Sequence, residues 1–192
     1  YLYFTSNETI QGVQFPTEPE VGDVPLVCDA SSDFLSRPID VRKYGIYYAC
    51  AQKNAGPAGL TLLIIRKDLL RRSRESLPGY LNFQIHAEAQ SLWNTAPTFA
   101  IYVFMLISKW LITDIGGVGQ MQAVNRGKAK LLYDAIDESN GFYKGHARPE
   151  CRSMMNVSFR LPSDELTGRF VKVAEENGMT DLKGHRSVGG IR

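Results

Sequence analysis

The sequence predicts an α/β protein, with a larger α/β domain over residues 1–117 and a small α+β domain over residues 118–192. Two short, continuous apolar runs, residues 24–28 and 45–49, are typical of buried parallel strands. Residues 155–161 instead alternate apolar and polar side chains, as a half-buried antiparallel strand does. This change of pattern places a domain boundary in or near the long helix described below.

Composition and charge exclude several classes of function. The chain has 192 residues, an apolar share of 44% and a net charge of +2, so charge indicates neither nucleic acid nor a membrane surface as a partner. The longest apolar run, residues 99–106, is shorter than the roughly 20 residues that a membrane span needs. Three cysteines (Cys28, Cys50 and Cys151) form no closely spaced pair, which favours free thiols in a reducing compartment such as the cytoplasm.

Apolar runs predict four strands in the larger domain. They cover residues 1–4, 24–28, 45–49 and 60–66. Asp29 directly follows the second of these strands. Because ligands of open α/β sheets bind outside the carboxyl ends of the strands, Asp29 is expected at a ligand-binding edge.

Helices are expected over residues 67–74, 97–114 and 120–138. The helix from Pro97 is apolar on most sides and should therefore be buried. Another helix should begin after Ser163, a good N-cap, and stop at Gly178. The polar stretch between the first two helices, residues 75–96, shows no clear periodicity, and a loop of that length is usually functional or mobile.

The segment 47–59 joins an aromatic strand to a Gly/Pro turn and contains one lysine, Lys53. A lysine at the end of a buried strand loses hydration, which favours the neutral amine, and a neutral amine can form a Schiff base with a carbonyl. The alternative is a surface lysine whose aliphatic stem packs along the strand end. For a lone lysine this alternative is the more common case.

Asp29 and Lys53 each follow an apolar strand, and the two strands could be neighbours with both groups at one rim of the sheet. A lysine and a carboxylate at one site suit pyridoxal 5'-phosphate (PLP), which needs a lysine at its aldehyde and an acidic partner at its pyridine nitrogen. The carboxylate keeps this nitrogen protonated, so that the ring can accept electrons. A helix cap or a turn residue is the alternative interpretation of Asp29.

Five segments together carry a resemblance to a known family. They are residues 7–10 (NETI), 31–40 (SSDFLSRPID), 51–54 (AQKN), 94–99 (NTAPTF) and 183–192 (KGHRSVGGIR). In this order and spacing, the sequence resembles the phosphoserine aminotransferases, which are class V, fold type I PLP-dependent enzymes. The resemblance covers essentially the whole chain. It implies part of the family's large mixed-sheet α/β domain and a small C-terminal α+β domain.

The resemblance implies roles at the cofactor. Lys53 would bind the cofactor covalently and then carry the proton of the reaction, and Asp29 would pair with the pyridine nitrogen. Thr9 would form a hydrogen bond near the phenolic oxygen, and Gln52 would help to hold the phosphate.

Other residues are implied to act across a homodimer. Asn94 and Thr95 would reach the phosphate of the other subunit's cofactor. His185 and Arg186 would meet the substrate phosphate, also from the neighbouring chain, while Arg192 would bind the substrate α-carboxylate through its planar guanidinium. Ordinary loop polar residues and a C-terminal basic patch are the alternative interpretations.

The resemblance further implies the reaction. The enzyme would transfer the amino group of glutamate to 3-phosphohydroxypyruvate, giving O-phosphoserine and 2-oxoglutarate in serine biosynthesis. Two alternatives remain: a truncated chain that dimerises without turnover, and another class V enzyme such as a cysteine desulfurase. The second is disfavoured because its reactive cysteine would lie on a mobile loop, whereas Cys28 and Cys50 fall in strand-like runs.

Some features depart from the family pattern. Cys50 stands where the family usually has Gly, and Ala96 where it has Pro. The family's Gly-Arg phosphate turn, ring-stacking tryptophan and N-terminal substrate arginine would all precede Tyr1, so we expect a fragment of a longer protein. No metal site is expected, because His86 and His146 have no ligand-spaced partner.

Overall fold

The computed structural model describes residues 1–192 and contains eight strands and five α-helices. The strands are β1 (Leu2–Thr5), β2 (Asn7–Glu8), β3 (Val13–Gln14), β4 (Leu26–Asp29), β5 (Ile46–Cys50), β6 (Thr61–Ile65), β7 (Lys144–Gly145) and β8 (Phe159–Arg160). The helices are α1 (Lys67–Leu70), α2 (Phe83–Glu88), α3 (Thr98–Thr113), α4 (Val118–Asp137) and α5 (Asp164–Glu176).

The chain divides into two compact units. The sheet unit consists of Tyr1–Thr5 and Pro19–Val118, and the hairpin unit of Ser6–Glu18 and Gly119–Arg192. The sequence placed the domain boundary between residues 117 and 118, next to this division. It assigned residues 6–18 to the first domain, whereas in the structure they belong to the hairpin unit.

The sheet unit is built on a four-stranded mixed sheet in the order β1-β4-β5-β6. Strands β1, β4 and β5 are parallel, and β6 pairs antiparallel with β5. All four strands predicted from the apolar runs are therefore confirmed. The parallel arrangement places the carboxyl ends of β4 and β5 at the same edge of the sheet.

One face of this sheet carries the core of the unit. Its buried side chains come from alternate strand positions: Phe4, Leu26, Cys28, Tyr47 and Ala49. The opposite face is only partly covered, and its side chains line an open cavity of about 520 Å³. The prediction of fully buried parallel strands is therefore wrong for one face, since a continuous apolar run does not show how many faces are covered.

Helix α3 forms where the sequence predicts it, but it is not buried. Only Ala100 and Leu111 are buried, whereas Phe99 is 73% exposed and Ile112 is 69% exposed. An apolar circumference indicates what a helix could bury, and within this unit only one side of α3 has a partner.

The stretch between α1 and α3 has more structure than its polar sequence suggests. Helix α1 ends at Leu70 rather than at Arg74, and residues expected to form one long loop contain a 3-10 turn (Gly79–Leu81) and helix α2. Asn82 caps α2, because its side-chain oxygen accepts hydrogen bonds from the N–H groups of Gln84 and Ile85.

The hairpin unit combines two small β-pairs with two helices. Strands β2 and β3 pair antiparallel, as do β7 and β8. The alternating run 155–161 predicted a longer strand, but only Phe159 and Arg160 join a ladder. Helix α5 begins and ends as predicted: the Ser163 hydroxyl accepts a hydrogen bond from the Leu166 N–H, and Gly178 adopts a φ of +79°.

No single helix in the structure is long and apolar enough to cross a membrane.

Candidate active site

Asp29 and Lys53 lie at the ends of neighbouring parallel strands, Asp29 within β4 and Lys53 just beyond β5. Asp29 is the last residue of β4 and lies in register with Tyr48 of β5. Lys53 follows the end of β5 in the turn 51–55, where the Ala55 N–H donates to the Ala51 carbonyl at 2.9 Å. Both groups therefore lie in segments that leave the same edge of the sheet, as the sequence predicted for strands that are neighbours.

Hydrogen bonds tie these two segments together beyond the ladder. The Ala30 N–H donates to the Tyr48 carbonyl at 2.8 Å, and the Cys50 N–H donates to the Ser31 hydroxyl oxygen at 3.0 Å. Further along, the Asn54 side-chain amide donates to the Phe34 carbonyl at 2.6 Å. Ser31 and Asn54 therefore fix the Lys53 turn against the segment that follows Asp29.

The Asp29 carboxylate is oriented by two donors. One oxygen accepts a hydrogen bond from the Ser31 N–H at 2.9 Å, and the other accepts from the Tyr48 hydroxyl at 3.0 Å. The Tyr3 hydroxyl lies 3.2 Å from that of Tyr48. Burial, followed by hydrogen bonds to Tyr3 and Asp29, raises the pKa of Tyr48, so its hydroxyl stays protonated and remains a donor.

The segment after Asp29 also contains a buried ion pair and an unusual backbone conformation. Asp33 is 3% exposed and lies 3.7 Å from the Arg37 guanidinium. Leu35 between them has a φ of +62°, which non-glycine residues rarely adopt. Asp33, Leu35 and Arg37, which shape this segment, all belong to the motif 31–40.

Lys53 itself is exposed, so the expectation of a desolvated lysine at the end of a buried strand is not met in this chain. The reason is its position: it lies beyond the strand, in a turn where Ala51 and Ala55 are buried in the core and Gln52 and Lys53 are exposed. Lys53 lines an open, mainly apolar groove of about 610 Å³ between this turn and α3. The groove is also lined by Asn54, Gly56, Phe99 and Trp110.

The other predicted cofactor residues of the sheet unit are exposed. Gln52 precedes Lys53 in the turn. Asn94 and Thr95 lie in the loop before α3, and the Asn94 side chain donates to the Thr95 carbonyl at 3.1 Å. Exposed side chains of this kind are available to a ligand or to a second chain.

Thr9 belongs to the hairpin unit, in the tight loop between β2 and β3. The two carboxylate oxygens of Glu8 accept hydrogen bonds from the N–H groups of Ile10 and Gln11 at 3.1 and 2.7 Å. Gly12 closes the loop with a φ of +70°, and a Cβ there would lie 2.3 Å from the Asn156 carbonyl oxygen. Glu8 and Gly12 thus hold Thr9, although the sequence reasoning gave them no role.

A buried polar network supports this hairpin. Asn7 is 1% exposed; its amide nitrogen donates to the Asn156 side chain at 2.8 Å and its oxygen accepts a hydrogen bond from the Ser153 hydroxyl. The Ser153 hydroxyl oxygen in turn accepts hydrogen bonds from the N–H groups of Met155 and Asn156, both at 3.0 Å. Sequence reasoning missed this network, because isolated polar residues so far apart leave no periodic signal.

His185, Arg186 and Arg192 lie in one C-terminal loop of the hairpin unit. Ile191 joins this loop to β8 by two hydrogen bonds with Phe159, of 3.0 and 2.9 Å. Nδ1 of His185 lies 2.7 Å from the Ser187 hydroxyl, and the Arg160 guanidinium donates to the Val188 carbonyl at 2.9 Å. The structure therefore brings these three residues into one short, tethered loop.

The residues of the sheet edge fit a PLP molecule by the chemistry of their groups. The carboxylate of Asp29 is held in place as an acceptor, and the Lys53 side chain is exposed in the adjacent turn. The structure contains no group of three or more His, Cys, Asp or Glu side chains that could hold a metal ion.

Comparison with known proteins identifies the class. Residues 1–188 match the aminotransferase class-V family, so the chain belongs to that family. The phosphoserine aminotransferase of Rhodopirellula baltica is 60% identical over 193 residues, which cover 100% of this chain and 51% of that protein. The corresponding enzyme of Laribacter hongkongensis is 56% identical over 192 residues, covering 100% of this chain and 53% of that protein.

Solved structures of phosphoserine aminotransferases share the fold of this chain. Phosphoserine aminotransferase from Bacillus circulans subsp. alkalophilus superposes with a TM-score of 0.96 at 51% identity, covering 100% of this chain and 53% of that one. PLP-bound phosphoserine aminotransferase from Trichomonas vaginalis gives a TM-score of 0.93 at 42% identity, covering 100% and 54%. The chain thus spans about half the length of the relatives it matches, and its fold is that of a fold type I aminotransferase.

Proposed function

We propose that the protein is a phosphoserine aminotransferase that uses PLP. It would transfer the amino group between glutamate and 3-phosphohydroxypyruvate, giving O-phosphoserine and 2-oxoglutarate in L-serine biosynthesis. The observation that carries the proposal is the pairing of β4 with β5, which brings the segments of Asp29 and Lys53 to one edge of the sheet and joins them by hydrogen bonds. The similarity to phosphoserine aminotransferases over the whole chain supports it.

In this proposal, bound PLP supplies an electron-accepting ring and an aldehyde that reacts with amines. Asp29 holds the pyridine nitrogen in its protonated form, and the donors Ser31 and Tyr48 keep its carboxylate oriented. The Lys53 amine binds the cofactor and, when displaced by an amino substrate, accepts and returns the substrate Cα proton.

The remaining predicted residues act as binding groups. Thr9 and Gln52 contribute hydrogen bonds to the cofactor, and Asn94 and Thr95 reach the cofactor of a second subunit in a homodimer. His185 and Arg186 bind the substrate phosphate, and Arg192 binds the substrate carboxylate, for which a guanidinium provides two parallel donors. We include a cytoplasmic location in the proposal, because the three cysteines are free thiols.

A visible absorption spectrum of the purified protein with added PLP tests this proposal. We expect a band of the lysine-bound cofactor that shifts when glutamate is added. Lys53→Ala should abolish the band, since the proposal assigns the covalent bond to this amine, while Lys67→Ala, which alters an exposed lysine of the same unit, should leave it unchanged.

Two results would contradict the proposal. A band that survives in Lys53→Ala would show that another amine binds the cofactor. No band in the unaltered protein would favour the alternative of a chain that folds without turnover.

A further inference from the structure

The loop that carries Asn94 and Thr95 begins with a strained backbone. Gln90 and Ser91 have φ values of +50° and +65°, in the left-handed region that two successive non-glycine residues rarely share. The Ser91 and Leu92 N–H groups donate to the carbonyls of His86 and Ala89 at 2.8 and 2.9 Å. The start of the loop is thus bonded to helix α2, while the next residues rely on side-chain contacts.

Trp93, directly before Asn94, provides those contacts. Its ring centroid lies 5.2 Å from that of Tyr80 and 5.5 Å from that of His86, both in edge-to-face geometry with interplanar angles of 84° and 70°. Edge-to-face contacts stabilise aromatic pairs beyond the effect of buried area. We call Gly79, Tyr80, His86 and Trp93 the aromatic clamp.

Gly79 belongs to the clamp because its missing side chain makes room for the indole. A Cβ at this position would lie 2.3 Å from Cζ2 and 2.7 Å from Cη2 of Trp93. These atoms belong to a rigid ring, so a side chain here would displace the whole indole. The need for glycine therefore comes from close approach, since Gly79 is not among the residues with positive φ.

The surface on which Trp93 rests is itself fixed. Asn82, only 5% exposed, caps α2 with its side-chain oxygen, and its amide nitrogen donates to the Arg74 carbonyl at 3.4 Å. Tyr80 and His86 lie on either side of this cap, in the 3-10 turn and in α2. The indole thus packs on residues whose backbone is fixed by the hydrogen bonds of Asn82 to α2 and to Arg74.

We propose that Trp93 is a positioning residue, and that the aromatic clamp presents Asn94 and Thr95 to the cofactor phosphate. The inference rests on the proposed function, which gives Asn94 and Thr95 their ligand. Because Trp93 directly precedes Asn94, the packing of its indole restrains the backbone that leads into Asn94. The side chains of Asn94 and Thr95 are both exposed, so within the sheet unit their position depends on the clamp that precedes them in the chain.

The test compares Trp93→Ala with the conservative Trp93→Phe, and uses Tyr102→Phe, at an exposed aromatic residue of α3, as the control. PLP affinity is measured by absorbance. Trp93→Ala should weaken it about tenfold, whereas Trp93→Phe should retain it within about threefold, because phenylalanine keeps an edge-to-face contact. Gly79→Ala should resemble Trp93→Ala, and Tyr102→Phe should have no effect.

A double-mutant cycle separates positioning from general stability. In an Asn94→Ala/Thr95→Ala background, Trp93→Ala should cause no further loss of PLP affinity, because the groups that it positions are gone. Additive losses in the cycle would overturn the proposal.

Hydrogen exchange provides a readout that does not depend on PLP. The amide protons of Ser91 and Leu92 should exchange faster in Trp93→Ala and at the unaltered rate in Trp93→Phe. Unchanged exchange in Trp93→Ala would refute the clamp. Faster exchange in a protein that binds no PLP would retain the clamp and reject the proposed function.

Discussion

In the sheet unit, Asp29 ends β4 and Lys53 follows β5, and one face of both strands packs in an apolar core. In the hairpin unit, Thr9 lies in a loop between two-residue strands that buried hydrogen bonds support. The first arrangement depends on many interchangeable apolar contacts. The second depends on a few groups that must each find a partner, since a buried polar atom left without one is costly.

The difference shows how each unit should respond to mutation. Removing volume from the sheet core should cost stability in proportion to the cavity that remains. Removing one member of the polar network should leave several partners unsatisfied at once, so the effects of its members should not be additive.

The largest effect is expected for Leu26→Ala in the sheet core. Leu26 is 2% exposed in the strand that ends at Asp29, so its truncation should lower the free energy of unfolding by about 2–5 kcal/mol. Denaturant unfolding measures this loss. Leu63→Ala on β6, where the side chain is 39% exposed, should cost at most about 1 kcal/mol. Equal losses would contradict the view that one face of the sheet carries the core.

A somewhat smaller effect is expected for Ser153→Ala in the polar network. The hydroxyl donates to Asn7 and accepts from two backbone N–H groups, so its removal should cost about 1–3 kcal/mol in the free energy of unfolding. Ser76→Ala, at an exposed serine, is the control and should change little.

A double-mutant cycle with Asn7→Ala sharpens this prediction. The two substitutions should show a coupling of about 0.5–3 kcal/mol. Purely additive losses would mean that Asn7 and Ser153 do not form one network.

The smallest effect is expected for the ion pair of Asp137 and Arg152. Hydrogen bonds from the Arg152 guanidinium, at 2.6 and 2.7 Å, lower the pKa of Asp137 below its ordinary value of 3.8. A lowered pKa in the folded state adds stability above the unfolded value, and this stability is lost as pH falls through the folded pKa. Since Asp137 is largely exposed, the contribution should be small and sensitive to salt.

Thermal unfolding across pH checks this ion pair. Asp137→Asn should be slightly less stable than the unaltered protein near neutral pH and equally stable well below pH 3.8. Asp23→Asn, at an exposed aspartate of the sheet unit, is the control. A difference that grows as the pH falls would have the opposite sign and would reject the assignment.

Local patterns in the sequence predicted the parts of the fold that depend on local physics. Apolar runs located the strand that ends at Asp29 and the strand that precedes Lys53, since burial of a strand requires apolar side chains. The Ser163 cap and the Gly178 stop were predictable because a helix end needs an acceptor for its free N–H groups and a residue that tolerates positive φ.

The same patterns failed where the outcome depends on what covers a surface. The apolar circumference of α3 predicted burial, yet Phe99 and Ile112 are exposed, because periodicity shows what could be buried but not which elements pack there. The exposed position of Lys53 is a similar case. Its role at the site remains a prediction carried by the strand order and the family resemblance.

The sequence by itself determined the strands of the sheet, because these follow from apolar runs along the chain. It also carried the motifs whose resemblance to a known family implies the residues proposed for catalysis and binding. Only the tertiary structure decided that Ser6–Glu18 belongs with the C-terminal unit, and that Asn7, Ser153 and Asn156 meet. A hydrogen bond between residues 149 positions apart gives no signal in the local sequence. The sequence does not show whether a polar side chain bonds to water or to another buried group.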